Sequence, residues 1–293
     1  MKAWVNKNTK YIYTLPTILF IILLVAYPIY YTVHLSFFDW GMSAIKAPEF
    51  IGLNNYKELL GDSRFWDAFW RTIAYTATAV SIETILGVTI GLMLGKIKRR
   101  VNVIRTVFLM PMVATPVVVG IVWKLIYDPT IGIANSFLRL VGLPTNAWFG
   151  SSSTVFHSLI IMDVWEWTPM IMLMVLAGVS GLSSDVFESA KVDGASEFQI
   201  VRKITLPLLM PTILMAVLLR MIDALKTFDQ IYSTTSGGPG YSSENLNILT
   251  YRYAFQYFYM GKACALLVIF FVIVLGFALL YSSFKRTIEK RYE

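Results

Sequence analysis

Twenty-three consecutive residues, Tyr11–Val33, carry no charge, and twenty-two more, Ala263–Phe284, lie uncharged between Lys262 and Lys285. A helix of about 20 apolar residues crosses the ~30 Å hydrocarbon core of a bilayer. Four further stretches read the same way. Thr72–Gly95 holds only Glu83, Thr106–Trp123 has no acidic or basic residue before Trp123, and Val155–Ser180 holds Asp163 and Glu166. Ile204–Leu219 is uncharged and continues past Arg220 towards Ile222. Pro111, Pro116, Pro169 and Pro211 fall within the third to fifth of these stretches. Membrane helices tolerate proline when neighbours satisfy the freed backbone groups. Only 15% of the chain is charged and 56% is hydrophobic, against about 25% charged in soluble domains. One cysteine excludes a disulfide scaffold, and with two histidines it leaves little for a zinc or iron–sulfur site. The expected fold is an all-α integral membrane protein with six transmembrane helices.

Basic residues set the orientation. With the N-terminus inside, the inner segments hold Lys2, Lys7, Lys10, Lys96, Lys98, Arg99, Arg100, Arg105, Lys191, Arg202, Lys203, Lys285, Arg286, Lys290 and Arg291. The longer outer segments hold fewer, Lys46, Lys57, Arg64, Arg71, Arg139, Lys226, Arg252 and Lys262. Both termini are therefore expected in the cytoplasm, and the net charge of +7 marks topology rather than nucleic-acid binding. Three regions follow: 1–70, with the first span and an aromatic outer segment; 71–284, with five further spans; and a cytoplasmic tail, 285–293. The first span has a basic start but no small-x-small cleavage site, and reads as uncleaved. Phe65, Trp66, Phe69 and Trp70 fit a helix at the membrane interface. Gly87, Gly91 and Gly95 form a small-residue face suited to close helix packing.

The loop at 183–207, between the fourth and fifth spans, reads as two short helices about a turn. Ser184 is placed to cap the first, with Asp185 and Glu188 near its positive end. Gly194 suits the left-handed residue that ends it. Ser196 is placed to cap the second, and Pro207 suits the first turn of the next span. Val186, Phe187 and Ala190 form an apolar face that the loop cannot bury alone.

Glu188-Ser189-Ala190, three residues, Gly194, nine residues, Ile204, one residue and Leu206-Pro207 resemble the EAA loop of ABC-importer permeases, with Ser189 the one departure. Gly52-Leu53-Asn54-Asn55-Tyr56, Trp165-Glu166-Trp167-Thr168-Pro169 and Gly237-Gly238-Pro239 extend the likeness to carbohydrate permeases of the maltose and glycerol-phosphate type. The resemblance implies a type I (MetI-like) permease core in a prokaryotic cytoplasmic membrane, paired with a second permease subunit, as a heterodimer. It also implies two cytoplasmic ABC ATPase subunits docked through Glu188, Ser189, Ala190, Gly194, Leu206 and Pro207, and an extracytoplasmic solute-binding protein. No G-x-x-x-x-G-K-[ST] phosphate loop occurs, so this chain is not expected to hydrolyse ATP itself; the resemblance implies that ATP and magnesium are bound by the partner ATPases, and no cofactor, metal or catalytic residue is expected in this chain.

Ionisable groups inside spans are costly and are functional candidates by default. Asp163, Glu166, Trp167 and Met170 share one helix face by spacing, and Arg220, Asp223 and Thr227 another. Tryptophan stacks on sugar C–H faces while charged and hydroxyl groups bind sugar hydroxyls. From the residues alone, mutual neutralisation of Arg220 and Asp223 reads equally well. The resemblance places the carbohydrate on Glu166, Trp167, Met170, Arg220, Asp223 and Thr227, and leaves Glu83 as a packing or partner contact. The competing class is an ion-coupled secondary transporter of a polar solute using Asp163, Glu166 and Arg220 as a relay, but no inverted repeat supports it.

Overall fold

The computed structural model describes residues 13–41, 47–97 and 101–292. Lys2, Lys7, Lys10, Lys46, Lys98, Arg99 and Arg100 lie outside the described residues, as do the side chains of Lys290 and Arg291. The element order is α1 (Tyr13–Leu35), β1 (Phe38–Asp39), β2 (Glu49–Phe50), α2 (Asn54–Gly61), α3 (Ser63–Gly95), α4 (Val101–Val113) and α5 (Pro116–Ile126). There follow α6 (Ile133–Leu140), α7 (Val155–Ser180), α8 (Ser184–Val192), α9 (Glu197–Leu225), α10 (Asp229–Thr234), α11 (Leu246–Tyr251) and α12 (Met260–Tyr292). Among the described residues, five helices, α1, α3, α7, α9 and α12, are long and apolar enough to cross a membrane.

The third expected span, Thr106–Trp123, is not straight. Its two halves, α4 and α5, meet at 93°. Proline at 116 removes a backbone donor and pushes the preceding residue out of the helical region. Thr115 is accordingly extended, with ψ 144°, and Pro116 begins a new helix. Pro111, Pro169 and Pro211 stay inside their helices.

The chain forms two compact units, Met1–Trp66 with Leu249–Ile273, and Asp67–Ile248 with Val274–Glu293. In the first, β1 pairs antiparallel with β2, Phe38 opposite Phe50. Buried Asn55 donates to the carbonyls of Ser36 and Phe38 at 2.9 and 3.0 Å. Gly261 is required here, because a Cβ would sit 2.0 Å from the Phe38 oxygen. Exposed Trp66 lies on α3 itself, and the expected boundary at 70/71 falls within that helix.

The second unit is organised around α7. This helix is apolar on all sides, as a helix enclosed by protein should be, and 61% of its apolar window is buried. Ideal Cβ atoms on Gly87, Gly91 and Gly95 of α3 would lie 2.8 Å from side-chain atoms of Ile171, Val175 and Val179. The glycine face thus seats α3 directly against α7. On another side, Leu209 of α9 approaches Gly178 equally closely.

The 183–207 loop follows the expected plan with two differences. Ser183, not Ser184, caps α8, its oxygen accepting from the Asp185 N–H at 3.3 Å. The second helix is no separate piece but the start of α9. Gly194 is left-handed (φ 77°), and Ser196 forms a reciprocal capping box with Gln199. A π-helical turn at Val201–Thr205 then lets the Leu206 N–H reach back to the Val201 carbonyl, one residue before Pro207. That shift carries the helix through a proline that cannot donate.

Candidate functional site

Three helices of the second unit converge on Arg220. Its Nε donates to Glu83 Oε2 at 2.7 Å and its Nη2 to Glu83 Oε1 at 3.1 Å. Nη2 also donates to the Asp163 carboxylate. All three side chains are at most 1% exposed. Charge-assisted, forked bonds of this kind are the strong ones. They lock α3, α7 and α9 to one another within the span region. The alternative pairing of Arg220 with Asp223 does not form: Asp223 instead meets Lys226 at 3.3 Å, both half exposed. Glu83 is explained within the chain, as a counter-ion that shares Arg220 with Asp163.

Above this cluster lies a cavity of about 300 Å³ lined by Pro116, Trp167, Arg220, Asp223, Lys226, Thr227, Phe228, Asp229 and Gln230. The guanidinium carbon of Arg220 stands 5.2 Å from the Trp167 ring centre. Four of the six expected substrate residues, Trp167, Arg220, Asp223 and Thr227, therefore share one wall. Glu166 and Met170 do not line it. Glu166 is buried behind the wall and accepts a hydrogen bond from the Gln230 amide, whose oxygen lies 3.4 Å from the Tyr75 hydroxyl. Gln230 thus presents a fixed amide to the cavity, oriented from behind by two polar groups. The sequence reading passed over it because it carries no charge, although its place just before Gly237-Gly238-Pro239 was a usable signal. Close packing also shapes the wall: Gly120 of α5 leaves room for Ser233 of α10, which a Cβ would meet at 2.1 Å.

The other expected site is α8 and its turn. Glu188 and Ser189 are exposed, with Val186, Val192 and Phe198 beside them at 43%, 87% and 70% exposure. Ala190 points the other way and is buried. Phe187, Lys191 and Glu197 line a smaller cavity against Leu92 and Gly95 of α3 and Val179 of α7. Glu197 bridges Lys96 at 2.7 Å and Lys191 at 3.7 Å. Leu206 and Pro207 lie in α9, beyond the exposed turn. The six residues expected to couple thus divide into an outward set, Glu188, Ser189 and Gly194, and a structural set that ties the loop to the spans.

Residues 87–293 match the family described as "binding-protein-dependent transport system inner membrane component". The chain belongs to this family. It is therefore a multi-pass inner-membrane component of a transport system, with the permease fold that its helices display. A trehalose/maltose transport system permease protein, MalF, of Thermococcus litoralis is 34% identical over 274 residues, spanning 92% of this chain and 91% of its own. A trehalose transport system permease protein, SugA, of Mycobacterium tuberculosis is 31% identical over 94% of this chain and 88% of its own. Among solved structures, a bacterial ABC transporter involved in import of the acidic polysaccharide alginate superposes with a TM-score of 0.85 at 21% identity, covering 98% of this chain and 99% of the other. That last likeness speaks for the fold.

Proposed function

We propose that this chain forms half of the translocation pore of an ATP-driven, binding-protein-dependent carbohydrate importer, and that the cavity at Trp167 holds the sugar in transit. The supporting observation is the composition of that wall. An indole face, a threonine hydroxyl, an amide fixed by Glu166 and Tyr75, and paired charges surround about 300 Å³. Hydroxyl-rich ligands want many directional partners and one flat apolar surface, and this wall supplies both. The named relatives, which span about nine-tenths of the chain, transport trehalose or maltose.

ATP hydrolysis falls to two cytoplasmic ATPase subunits that dock on Glu188, Ser189 and the Gly194 turn, with a second permease subunit completing the pore. Both termini then lie in the cytoplasm, and a solute-binding protein delivers the sugar to the opposite face. Uptake of labelled trehalose and maltose into cells lacking the native chain tests the reading. Wild type should restore it, and Trp167→Ala should abolish it while leaving membrane insertion intact. Uptake that survives ATP depletion under an intact proton gradient would overturn the ATP-driven reading in favour of an ion-coupled carrier.

A further inference from the structure

The segment between α5 and α7 is built inside out. Helix α6 turns a polar residue inward: Asn135 is fully buried and makes four hydrogen bonds. Its amide nitrogen donates to the carbonyls of Pro129 and Asn146 at 3.0 and 2.8 Å. Its oxygen accepts from the Asn146 N–H at 3.0 Å and the Trp148 indole at 2.8 Å. Outward, at spacings of four and three residues, the helix shows Ile133, Phe137 and Leu140, which are 73%, 61% and 82% exposed. A helix in water does the reverse. The segment is also rigid. Tyr127 stacks on Trp148 with centroids 4.3 Å apart and planes 7° from parallel. The Asp128 carboxylate caps its own turn, accepting from the Thr130 hydroxyl at 2.6 Å and the Thr130 and Ile131 N–H groups. These bonds hold its pKa below the usual value.

We infer that α6 lies in the plane of the membrane surface with Ile133, Phe137 and Leu140 set into the lipid, at the end of α7 opposite the coupling helix. Two observations select lipid over a protein partner. The exposed apolar surface is continuous in sequence with that of α5, where Val118, Ile121 and Leu125 are also bare, at 50%, 52% and 65% exposure. Two cations, Lys124 and Arg139, flank this face, α6 itself contains no acid, and the one acid of the segment, Asp128, is engaged within its own turn, which leaves a net positive charge suited to anionic headgroups. Tyr127 and Trp148 then stand at the depth where aromatic belts collect.

The test uses the intact importer in nanodiscs of phosphatidylethanolamine and phosphatidylglycerol, with partner chains free of reactive cysteine. The native Cys264 is replaced in a Cys264→Ser background, and spin labels are placed through Phe137→Cys, Leu140→Cys and, as a control, the exposed Thr145→Cys. All three sites are on the surface, so folding is spared. Lipid contact predicts oxygen collision rates several-fold above those of a water-soluble nickel chelate at 137 and 140, with the order reversed at 145. High nickel access at 137 and 140 would place the face in water. Low access to both reagents would place it under a protein partner. Either result overturns the inference.

Discussion

Removing the Arg220 guanidinium should cost far more than removing either exposed charge of the same cavity. Arg220→Met strands Glu83 and Asp163, two carboxylates with essentially no solvent contact. Breaking a buried ion pair from one side costs about 3–5 kcal/mol, and here one cation serves two anions. Net stabilities run to about 5–15 kcal/mol, so the single change removes a large share. By contrast Asp223 and Lys226 are about half exposed, and such pairs contribute at most about 1 kcal/mol. Asp223→Leu should therefore leave the protein nearly as stable as wild type. The triple change Arg220→Met/Glu83→Leu/Asp163→Leu removes every stranded charge, and apolar replacement of buried pairs is often neutral or better. Its stability should recover while sugar uptake stays lost, because Arg220 lines the cavity. Fluorescence-detected size exclusion after heating, paired with uptake, reads both quantities. A melting temperature unchanged in Arg220→Met, or a triple variant no more stable than the single, would refute the reasoning.

Gly91→Val should destabilise by about 1–3 kcal/mol through overpacking, since even its Cβ would lie 2.8 Å from Val175 Cγ1 and 3.0 Å from the Met172 carbonyl; heating assays in detergent check it, and wild-type stability would show that α3 and α7 separate freely. Gly194→Val forces a β-branched residue to φ 77°, and Glu188→Lys reverses an exposed charge; each should lower co-purification of the ATPase while leaving the chain inserted. Gln230→Ala should reduce uptake without loss of ATPase co-purification, and Glu166→Gln, which keeps a partner for the amide, should reduce it less; equal losses would separate the amide from its orienting role. An impermeant thiol reagent on intact cells should label Thr145→Cys and miss Val192→Cys, the latter site being 87% exposed in the protein; the opposite pattern would reverse the orientation.

Helix α7 shows how much the sequence carried. Its bounds, Val155–Ser180, match the stretch read as apolar apart from Asp163 and Glu166, because a helix enclosed by protein has no water-facing register to blur its ends. The left-handed Gly194 and the Ser196 cap were equally legible, since each depends on local backbone chemistry. The Arg220 partners were not. Three- and four-residue spacing finds neighbours on one helix, and it pointed to Asp223, whereas the actual partners sit 137 and 57 residues away. Only the packing of α3 and α9 on α7, set by Gly87, Gly91 and Gly178, brings them together. The 93° break between α4 and α5 lay between these cases. Its cause, Pro116, was visible, but proline-bearing spans also run straight, as Pro169 and Pro211 show.

Under the proposed function, the same geometry bears on how an event at the ATPases reaches the cavity. Asp163 and Trp167 sit in α7, whose last residue, Ser180, is followed almost at once by α8. Arg220 sits in α9, whose first residue, Glu197, is ion-paired to Lys191 of α8 and Lys96 at the end of α3. The three helices that meet at the buried cluster therefore also meet at the 183–207 loop. From Asp163 to Ser180 is about 26 Å of helix at 1.5 Å per residue, with no described break between them. A packed helix of that length transmits a push along its axis rather than absorbing it. The π turn at Val201–Thr205 is the softest point on the return path, because its bonds are already shifted by one residue. Under the proposed function, a shove on α8 must either slide α7 and α9 together, preserving the Arg220 bonds, or bend α9 at that turn. Stiffening the turn with Pro207→Ala separates the two: sliding leaves transport intact, and bending makes uptake fall while ATPase co-purification holds.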